Sequence, residues 1–210
     1  MVSSRQTERT GHDQLLKQVL QAFFADFVRL FDPESAAQLD LDTVAFREAE
    51  AFTDIPQGQR RTADLVAAVQ TLAGDPELIL MHVEVQRARE PEFPSRMWQY
   101  YHLLSLRENL PVLPIAVVLY PEAEGVAFAH DDRVVLGRTV NHFEYLRISL
   151  PALEAATYAE GESVLGAGLS ATMRRSRQRE ERAALYLAAR RRVDRERSAR
   201  ARWTRHGPSC

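Results

Sequence analysis

Two carboxylates and an amide interrupt an otherwise apolar part of the chain. Asp64 lies in Ala63-Asp64-Leu65-Val66, a turn signal follows at Gly74-Asp75-Pro76, and Glu84 and Gln86 lie in Leu78-Ile79-Leu80-Met81-His82-Val83-Glu84-Val85-Gln86. Acidic oxygens brought together suit a hard divalent cation such as Mg²⁺, which takes one or two carboxylates. An ion held that way can activate water against a phosphodiester.

Strand side chains alternate faces, so His82, Glu84 and Gln86 point one way while Ile79, Met81, Val83 and Val85 point the other. One face is read as core and the other as polar. An antiparallel hairpin centred on Gly74 pairs residues whose numbers sum to 148 and sets Asp64 opposite Glu84, with Cβ atoms about 4.5–5.5 Å apart. Like charges directly opposite are destabilising unless positive charge sits between them. Two readings stand at this point: a cation between the acids, or a solvated hairpin face on which a one-residue slip would part them.

The elements that must position these groups can be read from periodicity. Leu15, Leu16, Val19, Leu20, Phe23, Phe24, Phe27, Val28 and Phe31 recur at helical spacing, predicting a helix from Asp13 to Phe31 that Asp32-Pro33 stops. A short helix is expected over Pro33–Leu41, and Val44–Thr53 fits either strand or helix. The hairpin strands are expected over Arg61–Gln70 and Leu78–Gln86. Ser95 is placed to cap a helix reaching Asn109, with Met97, Tyr100, Tyr101 and Leu104 facing inward. Leu113–Tyr120 reads as a buried parallel strand, which implies a right-handed βαβ crossover. Strands near Arg133–Leu136 and Phe143–Leu150, then a helical region from Ser163 through Arg192, complete an α/β domain with a mixed sheet.

Composition narrows the class. The chain has 210 residues and a net charge of −2, enough for one sizeable domain with a tail. Its one cysteine is Cys210, which excludes an internal disulfide framework and thiolate metal clusters. Met1–Gly11 has no apolar leader, and the longest apolar run, Leu110–Tyr120, is broken by Pro111 and Pro114; a cytoplasmic protein is expected. No Ser-centred elbow and no histidine pair with zinc spacing appears, which argues against an ordinary small-molecule hydrolase. From Arg174 onward there are 13 arginines and 4 acids, so the tail is basic and the body acidic. Those arginines fit either a salt-sensitive contact with phosphates or a solvated helix with local ion pairs. Lys17 is the only lysine.

Four segments in chain order carry a resemblance: His12-Asp13 with Lys17 before the Phe-rich helix, Ala63-Asp64-Leu65-Val66, His82-Val83-Glu84-Val85-Gln86, and Phe93-Pro94-Ser95-Arg96-Met97 followed by Tyr100. Together with the order αβββαβ, they resemble the Rpn or YhgA-like group of the PD-(D/E)XK nuclease superfamily, whose members are described as recombination-promoting nucleases or transposase-like proteins. The resemblance covers about His12 to Tyr120. It implies a restriction-endonuclease-like core over residues 12–155, followed by a helical, arginine-rich extension over 156–210. It further implies a DNA endonuclease dependent on Mg²⁺, or Mn²⁺, with DNA as partner and a homodimer as one way to cut two strands. The rival is a weak or inactive nuclease-fold module that only binds nucleic acid; an RNA-directed phosphodiesterase would use the same chemistry.

On that resemblance Asp64, Glu84 and the Val85 carbonyl would hold the metal. Gln86 stands where many relatives have lysine, and an amide orients water without supplying charge. Lys17 is the candidate replacement cation, set against a solvated surface lysine. Arg96 could contact a phosphate through its forked donors or make a structural pair at the helix start. Tyr100 could touch substrate or fill the core, and His12 could contact DNA or belong to the helix cap. His82 is a candidate for the metal's surroundings rather than a ligand, and Glu48, Glu50 or Asp54 could complete the acidic cluster.

Overall fold

The apolar spacing near the start of the chain produces two helical segments rather than one. The computed structural model describes residues 15–47, 64–73 and 78–174. Residues 15–22 form helix α1, Phe23 departs from helical geometry (φ −121°, ψ 33°), and α2 runs Phe24–Phe31. Hydrogen bonding nevertheless carries across the break, with Phe23 N–H donating to Val19 at 3.0 Å and Phe27 N–H to Phe23 at 2.9 Å. Asp32 ends α2 and starts α3 (Pro33–Ala36) by accepting the Ser35 N–H at 3.2 Å. The short helix expected to reach Leu41 stops at Ala36, because strand β1 takes Leu39–Arg47. The ambiguous stretch from Val44 is thus strand as far as Arg47. Residues 48–63, including Glu48, Glu50 and Asp54, lie outside the described residues, as do His12, the turn at Gly74 and the chain beyond Arg174.

Strands β2 (Leu65–Thr71) and β3 (Leu78–Gln86) pair antiparallel, with Leu65 opposite Val83 and Val66 opposite His82. This is the expected register. Helix α4 (Phe93–Glu108) then leads to β4 (Val112–Val118), which lies parallel to β3 as the crossover reading required. Ser95 does not cap α4: Glu92 holds the cap position without a side-chain bond, and Ser95 Oγ accepts from Arg133 at 2.8 Å instead. Strands β5 (Val126–Val135) and β6 (Arg138–Ser149) form a hairpin longer than the two short strands anticipated. Its turn places both Leu136 (φ 52°) and Gly137 (φ 76°) in the left-handed region, as a two-residue hairpin turn demands. The six-stranded sheet runs β1-β2-β3-β4-β6-β5, with β6 parallel to β4 and the other neighbours antiparallel except β3 and β4. The chain is therefore an α/β protein with a mixed sheet flanked by helices.

Both faces of that sheet are covered. Met81, Val83, Ile115, Val117 and Ile148 pack with Leu20, Phe24, Phe27 and Val28 of the first helices. On the opposite face Val66, Ala68 and Leu80 meet Tyr100 and Leu104 of α4, while Ala116, Val118, Phe143 and Tyr145 meet Phe93 and Met97. The face of β3 read as polar is thus roofed by α4, which excludes the solvated alternative: Glu84 and Gln86 are 6% and 5% exposed. After β6 come α5 (Ala155–Glu160) and α6 (Val164–Leu169), and a 3-10 turn over Ser170–Thr172 follows α6 directly. The helical region expected from Ser163 begins with α6 but is not continuous within the described residues, since Met173 is extended and Arg174 bridges to Glu154. Ala155, Leu165, Leu169 and Met173 join the same core as Phe27 and Ile148. No helix among the described residues is long and apolar enough to cross a membrane.

Candidate active site

The ladder between β2 and β3 ends, among the described residues, at Leu65 and Val83. One step beyond, side chains take over the pairing. Val85 N–H donates to Asp64 Oδ2 at 2.8 Å, and Asp64 N–H donates to Glu84 Oε2 at 3.3 Å. The register therefore brings Asp64 and Glu84 together as their spacing predicted. A strand residue directs its N–H and C=O toward the same neighbour, so the Val85 carbonyl also faces the edge where Asp64 lies.

Two cations reach this acid pair from opposite layers. Lys17, on α1, forms an ion pair with Asp64 Oδ1. Arg96, in the first turn of α4, hydrogen-bonds Gln86 Oε1 through Nη2, places its Nε 3.9 Å from Glu84 Oε1, and pairs with Glu90 Oε2 at 2.9 Å. Gln86 is locked from its other end as well, with Nε2 donating to the Ala88 carbonyl at 2.7 Å. The amide that lacks charge thus holds a residue that carries it. Sequence reading named Arg96 but not this bond, which links residues ten apart across a loop and has no periodic signature.

His82 is fully buried beside the pair, with Nε2 3.5 Å from Glu84 Oε2 and its ring edge-on to Tyr100 at 5.2 Å. Neither ring nitrogen has a hydrogen-bond partner among the described residues. Tyr100 is 3% exposed and packs with Val66, Ala68, Leu80 and Leu104, so it lines the wall behind the acids.

Burial raises the Asp64 pKa, and the neighbouring Glu84 charge raises it further; the Lys17 ammonium and the Val85 N–H work against both. This is the electrostatic conflict expected of two opposed carboxylates. Hard oxygen donors in a like-charged pair fit a divalent cation, and His82 does not belong to that donor set. Among the described residues no three His, Cys, Asp or Glu side chains converge on one point. Two carboxylates and a backbone carbonyl leave open positions, which Mg²⁺ commonly fills with water or substrate phosphate.

No protein-family model, no curated protein and no solved structure matches the chain significantly.

Proposed function

We propose that the chain is a metal-dependent phosphodiesterase that cleaves nucleic acid, with DNA as substrate, on a core of the PD-(D/E)XK nuclease type. The observation that carries this reading is the convergence of Asp64 and Glu84 where the β2–β3 ladder ends, flanked by Lys17 and Arg96. The order of an antiparallel β1-β2-β3 meander, α4 and a parallel β4 supports it. So does the position of the acids at the carboxyl end of β3, the edge where open α/β sheets bind ligands.

On this reading Asp64, Glu84 and the Val85 carbonyl hold Mg²⁺ or Mn²⁺. When bound, the ion supplies a water nucleophile at neutral pH and offsets charge on the phosphate. Lys17 and Arg96 bring positive charge to either side of that phosphate, and Gln86 keeps Arg96 oriented. The fork of Arg96 matches phosphate oxygens as a bidentate donor.

A specific observation favours one rival. Both acids already have cationic partners, as they would in an inert binding module. Incubating plasmid DNA and labelled DNA and RNA oligonucleotides with the full chain in Mg²⁺, Mn²⁺ or EDTA separates the two. Wild type is expected to cut DNA only with metal, and Asp64→Ala and Glu84→Ala to lose more than the about 10- to 100-fold typical of residues that merely support ligands. DNA left intact by wild type in every metal, or cut equally by both variants, would falsify the reading; cutting of RNA alone would reassign the substrate.

A further inference from the structure

Beyond Gln86, on the α4 side of the sheet, lies a hollow of about 330 Å³. It is lined by Arg89 after β3, Phe93 at the start of α4, Tyr120 and Glu122 after β4, and Tyr145 and Arg147 of β6. That volume is at the small end of ligand pockets, about 300–1,000 Å³, and suits one flat ring system rather than an extended ligand. Arg96 stands between it and the acid pair: its guanidinium carbon lies 5.1 Å from the Phe93 ring centre, and its partner Glu90 also lines the hollow.

The walls are aromatic and the polar groups are arranged among them. The Arg89 guanidinium carbon lies 5.4 Å from the Tyr120 ring centre, and its Nη2 is 2.9 Å from Glu122 Oε1. Arg147 Nη1 is 3.9 Å from Glu122 Oε2, while its Nε is buried without a hydrogen-bond partner among the described residues. Burial lifts the Tyr145 hydroxyl to about 12 and raises that of Tyr120, with Glu122 adding to the latter; both phenols stay neutral donors. A phosphate would account for the arginines but not for three aromatic walls. A nucleobase accounts for both, since it stacks on aromatic or guanidinium planes and bonds through its polar edge.

We propose that this hollow receives one unstacked nucleobase of a single-stranded nucleic acid, beside the phosphate handled at Asp64 and Glu84, with Tyr120 as stacking face and Arg147 and Glu122 as edge contacts. The proposal rests on the phosphodiesterase reading and adds the strand form, because a duplex keeps its bases stacked and paired.

The test uses the full chain carrying Asp64→Ala, in EDTA, with a short fluorescein-labelled single-stranded DNA read by anisotropy. An abasic site moved along the oligonucleotide is expected to weaken binding most at one position. Tyr120→Ala is expected to weaken binding between about five- and 150-fold, the range for one stacked base, and to erase that positional preference. Tyr120→Phe should recover most of the loss, and Arg147→Ala should weaken binding too. No binding of the oligonucleotide, or equal binding at every abasic position with Tyr120→Ala and Arg147→Ala unaffected, overturns the proposal. Metal and cleavage play no part in this readout, so failure of the phosphodiesterase reading shows separately, as DNA left intact by wild type in Mg²⁺.

Discussion

At the carboxyl end of β3 a pair of acids lies almost wholly out of water, whereas at the far end of the β5–β6 hairpin a comparable set of residues stands in it. His130 is opposite Glu144 there, Asp132 is opposite His142, and His142 Nδ1 meets Asp132 Oδ1 at 2.6 Å. The side chains of His142 and Asp132 are 57% and 39% exposed, against 14% and 8% for Asp64 and Glu84. An exposed pair is worth about 0–1 kcal/mol and is screened by salt. Buried charge costs more than that and persists only when well paired. A carboxylate held out of water beside a second acid at a strand end is a physically grounded candidate for chemistry. The hairpin tip, with Leu136 97% exposed and Val134, Val135 and Val140 beside it, has the solvent contact that the acid pair lacks.

The contrast predicts effects of very different size. Arg96→Ala removes the donor to Gln86 Oε1 and a guanidinium 3.9 Å from Glu84, so on the phosphodiesterase reading cleavage is expected to fall about 10- to 100-fold. Arg96→Lys should not restore it, because a single ammonium cannot reproduce a fork that spans Gln86 and Glu90. Cleavage unchanged in both variants would make Arg96 a structural tie only.

A smaller effect concerns stability. Because the fold raises the Asp64 pKa, ionised Asp64 opposes folding: the stability is fully present at low pH and is lost as pH rises through the raised value. Asp64→Asn, which keeps an acceptor for the Val85 N–H, should therefore raise Tm at neutral pH. The gain should shrink as pH falls into the carboxylate range, where Asp64 itself becomes neutral. Asp132→Ala on the hairpin should change stability by less than about 1 kcal/mol and lose that effect in high salt. Thermal melts across pH and salt check both, and equal responses at the two sites would erase the distinction.

What the chain made legible follows from what period and spacing can encode. Alternation in Leu78–Gln86 and the turn signal before it were enough to set the β2–β3 register, and with it the meeting of Asp64 and Glu84. The proline-bounded apolar run gave the parallel strand β4 within two residues at either end. Alternation says that His82, Glu84 and Gln86 share a face but not what covers it, and the closure of α4 over them depends on distant packing through Tyr100 and Met97. The break at Phe23 interrupts no apolar period. Nor does any pattern mark the Arg89, Glu122 and Arg147 cluster, whose members come from three separate segments joined only by the parallel order of β3, β4 and β6.

Whether Asp64 and Glu84 form a divalent-cation site is decided by titrating the full chain with Mn²⁺ and following the free ion by electron paramagnetic resonance. Wild type should take up Mn²⁺ at a site from which Mg²⁺ displaces it, and Asp64→Ala and Glu84→Ala should each lose that uptake. No uptake by wild type, or the same uptake in both variants, would rule out a divalent-cation site at these two acids.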